Sequence, residues 1–222
     1  MNWFVKLYAW ACERLYEEFA ITYDAVSWLV SIGQWSAWRR VALRYLPDTA
    51  DAGPLRVLEI GFGTGELLLE LAKRRISAVG LERSAPMHKI AAAKLSQRGL
   101  SLPRVRALAQ AIPLSDQTFD AILSTFPAPY ILDAQTLQEC VRLLRKPEPA
   151  TNLPGGRLII VGLWVRGDNS LWHKVMPFFY GQPDPAWLHQ IEQRVSAAGF
   201  VVTRSEQKVG AIQIGVIVAE RR

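Results

Sequence analysis

The run Val57-Leu58-Glu59-Ile60-Gly61-Phe62-Gly63-Thr64-Gly65 leads from a buried apolar stretch into three alternating glycines and then into a leucine-rich helical segment. Glycines let a backbone turn tightly and let a ligand approach its peptide groups, while the first turn of a following helix presents free N–H donors to an anionic group. Such a turn binds a cofactor. A dinucleotide fingerprint wants Gly-x-Gly-x-x-Gly, whereas here the third glycine falls one residue early, at Gly65, and Glu66 takes the expected place.

Two carboxylates flank this turn. Glu59, two residues before Gly61, is awkward beside a pyrophosphate and suits a cationic ligand. S-adenosyl-L-methionine carries an ammonium and a sulfonium, with only a carboxylate to set against the N–H groups. Glu82 stands 21 residues after Gly61, at the end of the next strand, where it can accept hydrogen bonds from both hydroxyls of a ribose. An adenosyl or an NAD ribose would use it alike. Met87, three residues beyond Ser84, is either a wall for an adenine face or part of the core.

Other chemistries find less support. Cys12 and Cys140 are far apart and outside any Cys-x-x-Cys pair, and read as buried thiols. His88, His173 and His189 form no ligand cluster, so no protein-bound metal is expected. The net charge of +6 arises from scattered basic residues, Lys73 to Arg75, Arg104, Arg106, Arg142, Arg145 and Lys146 among them, rather than from the clustered stripe that nucleic acid needs. No run of about 18 apolar residues and no secretory leader is present, so a cytoplasmic location is expected.

The elements that must hold these residues alternate. Short β-branched runs fit strands at 55–60, 77–81, 104–108, 119–124 and 156–162, and helices fit 65–75, 85–98, 134–144 and 185–198. Two final strand-like runs, 200–205 and 211–218, leave no room for a helix between them and require a hairpin turning at Gly210. The expected fold is α/β: a Rossmann-like seven-stranded, mainly parallel sheet with an antiparallel C-terminal strand and helices on both faces. Residues 1–49 read as an N-terminal helical cap, with second and third helices around Tyr23–Ser31 and Trp35–Leu46, and residues 50–222 as the cofactor-binding core.

From Leu55 onward the chain resembles the class I S-adenosylmethionine-dependent methyltransferases. The resemblance rests on Glu59 to Gly65, Gly80-Leu81-Glu82-Arg83-Ser84, Ile112-Pro113-Leu114 with Phe119-Asp120, and Gly155-Gly156-Arg157-Leu158, in that order and spacing. It implies that the glycine turn holds the methionine moiety, that Glu82 binds ribose with Arg83 and Met87 nearby, and that Ala109 and Gln110 border adenine. Ser124, at the end of the fourth strand, completes the implied set. An aspartate common in the family is replaced by Leu108. The N-terminal part, Phe19 to Asp24 followed by Ser31, Gly33 and Trp38-Arg39-Arg40, is similar to the ubiquinone/menaquinone-biosynthesis C-methyltransferase branch. That branch usually ends strand four with Phe-Gly-x-Arg-Asn, where this chain has Phe126-Pro127-Ala128-Pro129-Tyr130. The resemblance therefore implies the helical cap, without the ring chemistry of the missing pair.

Aromatic residues crowd both the first 38 positions and the segment from Trp164 to Tyr180, which favours an apolar acceptor, quinone-like, lipid-like or aromatic. Trp3, Phe4, Tyr8 and Trp10 suit either a peripheral membrane contact or packing of the cap onto the core. Methyl transfer from a sulfonium needs a nucleophile held about 3 Å from the methyl carbon, and a protein base only if the acceptor must lose a proton. Tyr23, Tyr130 and His173 are the candidates for that role. The competing readings are a non-catalytic protein keeping this fold as a scaffold or cofactor sensor, and an NAD-dependent oxidoreductase.

Overall fold

A computed structural model describes residues 31, 33–47, 54–150, 153–167 and 184–222. Among them, in chain order, are α1 (Trp35–Arg40) with a 3-10 turn at Val41–Tyr45, β1 (Arg56–Ile60), α2 (Glu66–Lys73), β2 (Ser77–Leu81), α3 (Ala85–Ser96) and β3 (Arg104–Val105). There follow β4 (Ala121–Thr125), a 3-10 turn at Pro129–Leu132, α4 (Ala134–Leu143), β5 (Arg157–Gly167), α5 (Pro185–Ala197), β6 (Phe200–Val209) and β7 (Ile212–Arg221). Ser84 caps α3 by accepting from the Met87 N–H, and Asp184 caps α5 by accepting from the Ala186 N–H.

The strands form one seven-stranded sheet in the order β3-β2-β1-β4-β5-β7-β6. β1 to β5 pair in parallel, and β7 lies antiparallel to both β5 and β6. The Gly210 hairpin, at φ +61°, makes that single reversal. The fold is the Rossmann-like one expected of the sequence.

Successive residues of a strand face opposite sides, so β1 divides its apolar residues between two cores. Leu58 and Ile60 pack with Ile122, Leu158 and Ile160 beneath α4 and α5, which contribute Leu137, Cys140, Leu188 and Ile191. Val57 packs with Leu123, Val161 and Val216 on the other face, beneath Trp38 of α1 and Leu67, Leu68 and Leu71 of α2. Glu59 shares the parity of Val57 and so points to the α1 side. Cys140 is fully buried, which pushes its thiol up to about 12; Cys12 lies outside the described residues.

Several boundaries depart from expectation. β3 holds two residues instead of five: the chain passes into a tight turn in which Leu108 accepts from Ala111, and the Arg106 guanidinium donates to the Arg83 carbonyl. β4 begins at Ala121 because Phe119 is engaged with Leu144 in an isolated bridge. β5 runs five residues further than expected, past an irregularity between Val161 and Val165 where Gly162 adopts φ +84°. Trp164 therefore belongs to the core and not to an acceptor cavity: it is buried against Gly215, and its indole N–H donates to Glu206 at 2.8 Å. The third expected cap helix is present as α1 and its 3-10 turn, whereas the first two lie outside the described residues. No helix among the described residues is long and apolar enough to cross a membrane.

Candidate functional site

The turn after β1 is built from left-handed glycines. Gly61, Gly63 and Gly65 have φ of +73°, +56° and +82°, a region closed to most side chains. The Gly61 N–H donates to the Leu81 carbonyl at 2.7 Å, which ties the turn to the end of β2. Gly65 starts α2, and a Cβ there would stand 2.7 Å from the Ala91 methyl, so its smallness also lets α2 approach α3. A Cβ on Gly63 would meet nothing within 4 Å, which marks the open side of the turn.

Glu82 fastens that turn from the neighbouring strand. Its Oε2 accepts from the Gly63 N–H at 3.1 Å and its Oε1 from the Ser84 N–H at 2.9 Å. A carboxylate has about four acceptor sites, so both oxygens retain capacity for ligand hydroxyls. Directly behind, the His88 ring lies edge-on to Phe62 and its Nε2 is 3.0 Å from the Glu82 carbonyl oxygen. Arg83 is exposed at the rim, while Met87 is fully buried.

Beneath the turn lies a charged pair out of contact with water. Glu59 and Arg39 are both buried, with Arg39 Nη2 3.6 Å from Glu59 Oε1. Arg39 also donates through Nε to Thr125 Oγ1 at 2.8 Å and through Nη2 to the Phe62 carbonyl at 3.4 Å. Among the described residues neither Glu59 oxygen accepts a hydrogen bond, and Arg39 Nη1 has no acceptor. Burial raises the Glu59 carboxyl to about 7, against the lowering influence of Arg39 and with a further push from Glu82. Ser124 is fully buried too, and its hydroxyl donates to the Ile60 carbonyl at 3.0 Å, joining β4 to β1.

The segment after β4 arches over the same turn. Phe126 has φ +50°, its N–H donates to the Val161 carbonyl at 2.6 Å, and its ring fills the space above Gly162. Trp35 and Trp38 of α1 pack on that ring with centroids 4.5 and 6.0 Å away. Pro127 and Pro129 then direct the chain into its 3-10 turn, which sets the Tyr130 hydroxyl where a Cβ on Gly61 would be, 2.5 Å from it. Burial, with Glu82 next in effect, holds the phenol well above the ordinary tyrosine value. Tyr130 is thus a neutral hydrogen-bond donor and a poor base.

On the far side Ala109 is buried, and the Gln110 side-chain amide donates to Asp133 Oδ2 at 2.9 Å. Leu108 is 52% exposed, an apolar side chain at the mouth beside them. The structure thus gathers Glu59, Gly61, Gly63, Gly65, Glu82 and Tyr130 around one turn. Tyr23 and His173 lie outside the described residues. Sequence reasoning gave no role to Arg39 or Thr125. A signal existed for Arg39: it follows Trp35 by four residues and precedes Ala42 by three, a charge set on the apolar stripe of a helix.

Residues 57–147 match a family model described as a methyltransferase domain. A demethylmenaquinone methyltransferase of Thermus thermophilus is 35% identical over 177 residues, covering 75% of this chain and 76% of that protein. A ubiquinone/menaquinone biosynthesis C-methyltransferase of Syntrophotalea carbinolica is 33% identical over 150 residues, 66% of this chain and 59% of that protein. The chain thus spans three quarters of the first relative's length and less than two thirds of the second's. Among solved structures, phosphoethanolamine N-methyltransferase 2 of Haemonchus contortus in complex with S-adenosyl-L-methionine superposes with a TM-score of 0.59 at 16% identity, covering 85% of this chain and 53% of that one.

Proposed function

The chain belongs to the S-adenosylmethionine-dependent methyltransferases, and we propose that it methylates a small, largely apolar acceptor of quinone-like, lipid-like or aromatic type. S-Adenosylmethionine is its cofactor. When bound, that molecule supplies a methyl group on a sulfonium, an electrophile that needs only a nucleophile in line with it.

The observation that carries the reading is the glycine turn tied to Glu82. Its left-handed backbone, the open side at Gly63 and the spare acceptor capacity of Glu82 fit an adenosyl cofactor with a ribose diol on the carboxylate and an amino-acid end along the turn. Gly61, Gly63 and Gly65 line the amino-acid end in this reading, Glu82 holds ribose, and Ala109 with Gln110 borders adenine. Glu59 lies buried behind the turn, where its carboxyl, when ionised, would act on a cationic ligand through the turn rather than by contact.

The acceptor assignment rests on the names of the two relatives and on apolar side chains left accessible after the parallel strands, the exposed Leu108 beyond β3 and the half-buried Phe126 beyond β4 with Trp35 packed on it. Tyr130, held neutral, donates a hydrogen bond to an acceptor oxygen and narrows the mouth over Gly61. Tyr23 and His173 stay as the candidates for removing an acceptor proton.

Isothermal titration with S-adenosylhomocysteine, followed by turnover on a panel of short-chain naphthoquinols, phenols and phospholipids, tests the proposal. The wild-type protein binds the ligand and turns over at least one apolar acceptor, while Glu82→Ala weakens binding by about 10- to 100-fold, the worth of hydrogen bonds to a charged group. Turnover confined to hydrophilic amines overturns the acceptor assignment. Wild-type affinity in Glu82→Ala overturns the site.

A further inference from the structure

We infer that Arg39 is a positioning residue of the cofactor site, tying the glycine turn, Glu59 and the end of β4 to α1 so that the seating of α1 and the binding of cofactor are coupled. Its guanidinium reaches three elements at once: Thr125 Oγ1 at 2.8 Å on β4, the Phe62 carbonyl at 3.4 Å in the turn, and Glu59 Oε1 at 3.6 Å on β1.

Stability alone does not account for the pair. Desolvating two charges is expensive, and buried ion pairs are often no better than apolar residues of the same volume. This one has loose geometry, with Arg39 Nη1 and both Glu59 oxygens lacking hydrogen bonds among the described residues. What it does supply is register. The Phe62 carbonyl and the Gly63 N–H belong to one peptide group, so Arg39 donates to its oxygen while Glu82 accepts from its nitrogen. Arg39 grips the turn from below and Glu82 from above.

A second contact of α1 strengthens the coupling. Trp35 and Trp38 clamp Phe126, the residue after Thr125, and Phe126 leads into the turn that carries Tyr130. One short helix thus holds the floor of the cofactor turn through Arg39 and the acceptor-side loop through its tryptophans. The groups whose charge bears on Glu59 are Arg39 from α1 and Glu82 from the end of β2, and the Tyr130 phenol in the turn after β4 is a neutral neighbour. Without Arg39, Glu59 keeps its burial and the neighbouring Glu82 but loses its only cation, and its ionisation moves to higher pH.

The inference rests on the adenosyl reading of the glycine turn, and the test separates the two. S-Adenosylhomocysteine is titrated into the full chain and into Arg39→Met, Arg39→Lys, Glu59→Gln and the Arg39→Met/Glu59→Gln double variant between pH 6 and 9, with melting curves to verify folding. Arg39→Met is expected to bind about 10-fold more weakly at pH 7, within the usual range of coupling between sites. The deficit shrinks as pH rises, Arg39→Lys recovers part of it, and in the Glu59→Gln background Arg39→Met costs less than in the wild-type background, because only its contacts to Phe62 and Thr125 are then left to lose. An equal loss at every pH and in both backgrounds, or no loss, overturns the coupling. Should Arg39→Met not fold, the pH profile of Arg39→Gln, which keeps a donor and loses the charge, decides: a profile identical to wild type overturns it. Failure of the wild-type protein itself to bind overturns the cofactor reading and the coupling with it.

Discussion

Glu59 carries a carboxyl into a fully buried position, and the sign of its effect on stability follows from its raised folded value of about 7 against an ordinary value of 4.5. Between those values the unfolded chain has released the proton and the folded chain retains it, so stability falls as pH rises through that window and levels off above it. Glu59→Gln should raise the melting temperature at pH 8 and change it little at pH 5, and a difference of the same size at both pH values would remove Glu59 as the cause. Gly63→Val should lose S-adenosylhomocysteine binding, since its side chain projects to the open side of the turn, and should also lower the melting temperature, since φ +56° strains any side chain. Gly61→Ala is different, because its Cβ would collide with the Tyr130 hydroxyl. Tyr130→Phe removes that oxygen, so the double variant should melt higher than the sum of the two single losses, as double-mutant melts would reveal. The glycines and Glu82 were legible in sequence because their spacing is local. The Arg39–Glu59 pair was not, because its partners meet only when α1 lies across the sheet.

At the scale of elements, hydrophobic pattern located the strands and helices, and the crowded Phe200–Val218 interval forced the single antiparallel strand. The misjudged ends have tertiary causes. β3 is an edge strand with one neighbour, so little holds it in the sheet beyond Val105, while β5 gains length because β7 offers it partners up to Gly167. Periodicity cannot anticipate either. The extension has a steric requirement: a Cβ at Gly215 would lie 2.0 Å from the Trp164 indole, which fills the space between β5 and β7. Gly215→Ala should therefore destabilise the protein by about 3 kcal/mol, as overpacking of a tight core does, and lower the melting temperature by roughly 6–12 °C for a chain of this size. A melting temperature unchanged by that substitution would mean that Trp164 has room to move.

For the whole molecule, the sheet order places the most buried strands in the middle. Val57, Leu58, Ile122, Leu123 and Leu158 to Val161 are inaccessible to water, whereas β3 and β6 are the edges. Native-state hydrogen exchange should find the slowest amides in β1, β4 and the first half of β5, and faster exchange in β3 and β6; uniform protection across all seven strands would contradict that gradient. The order β5-β7-β6 also bears on how the protein is made. A ribosome releases β6 before β7, yet β6 reaches the sheet only through β7. As synthesis proceeds, Leu158 to Val165 thus shows one bare, strongly apolar edge, and the nascent β6 has nothing to pair with. The strand that closes that edge is the latest of the seven to emerge, which makes the interval before its arrival the time when the growing chain most needs shelter from its neighbours.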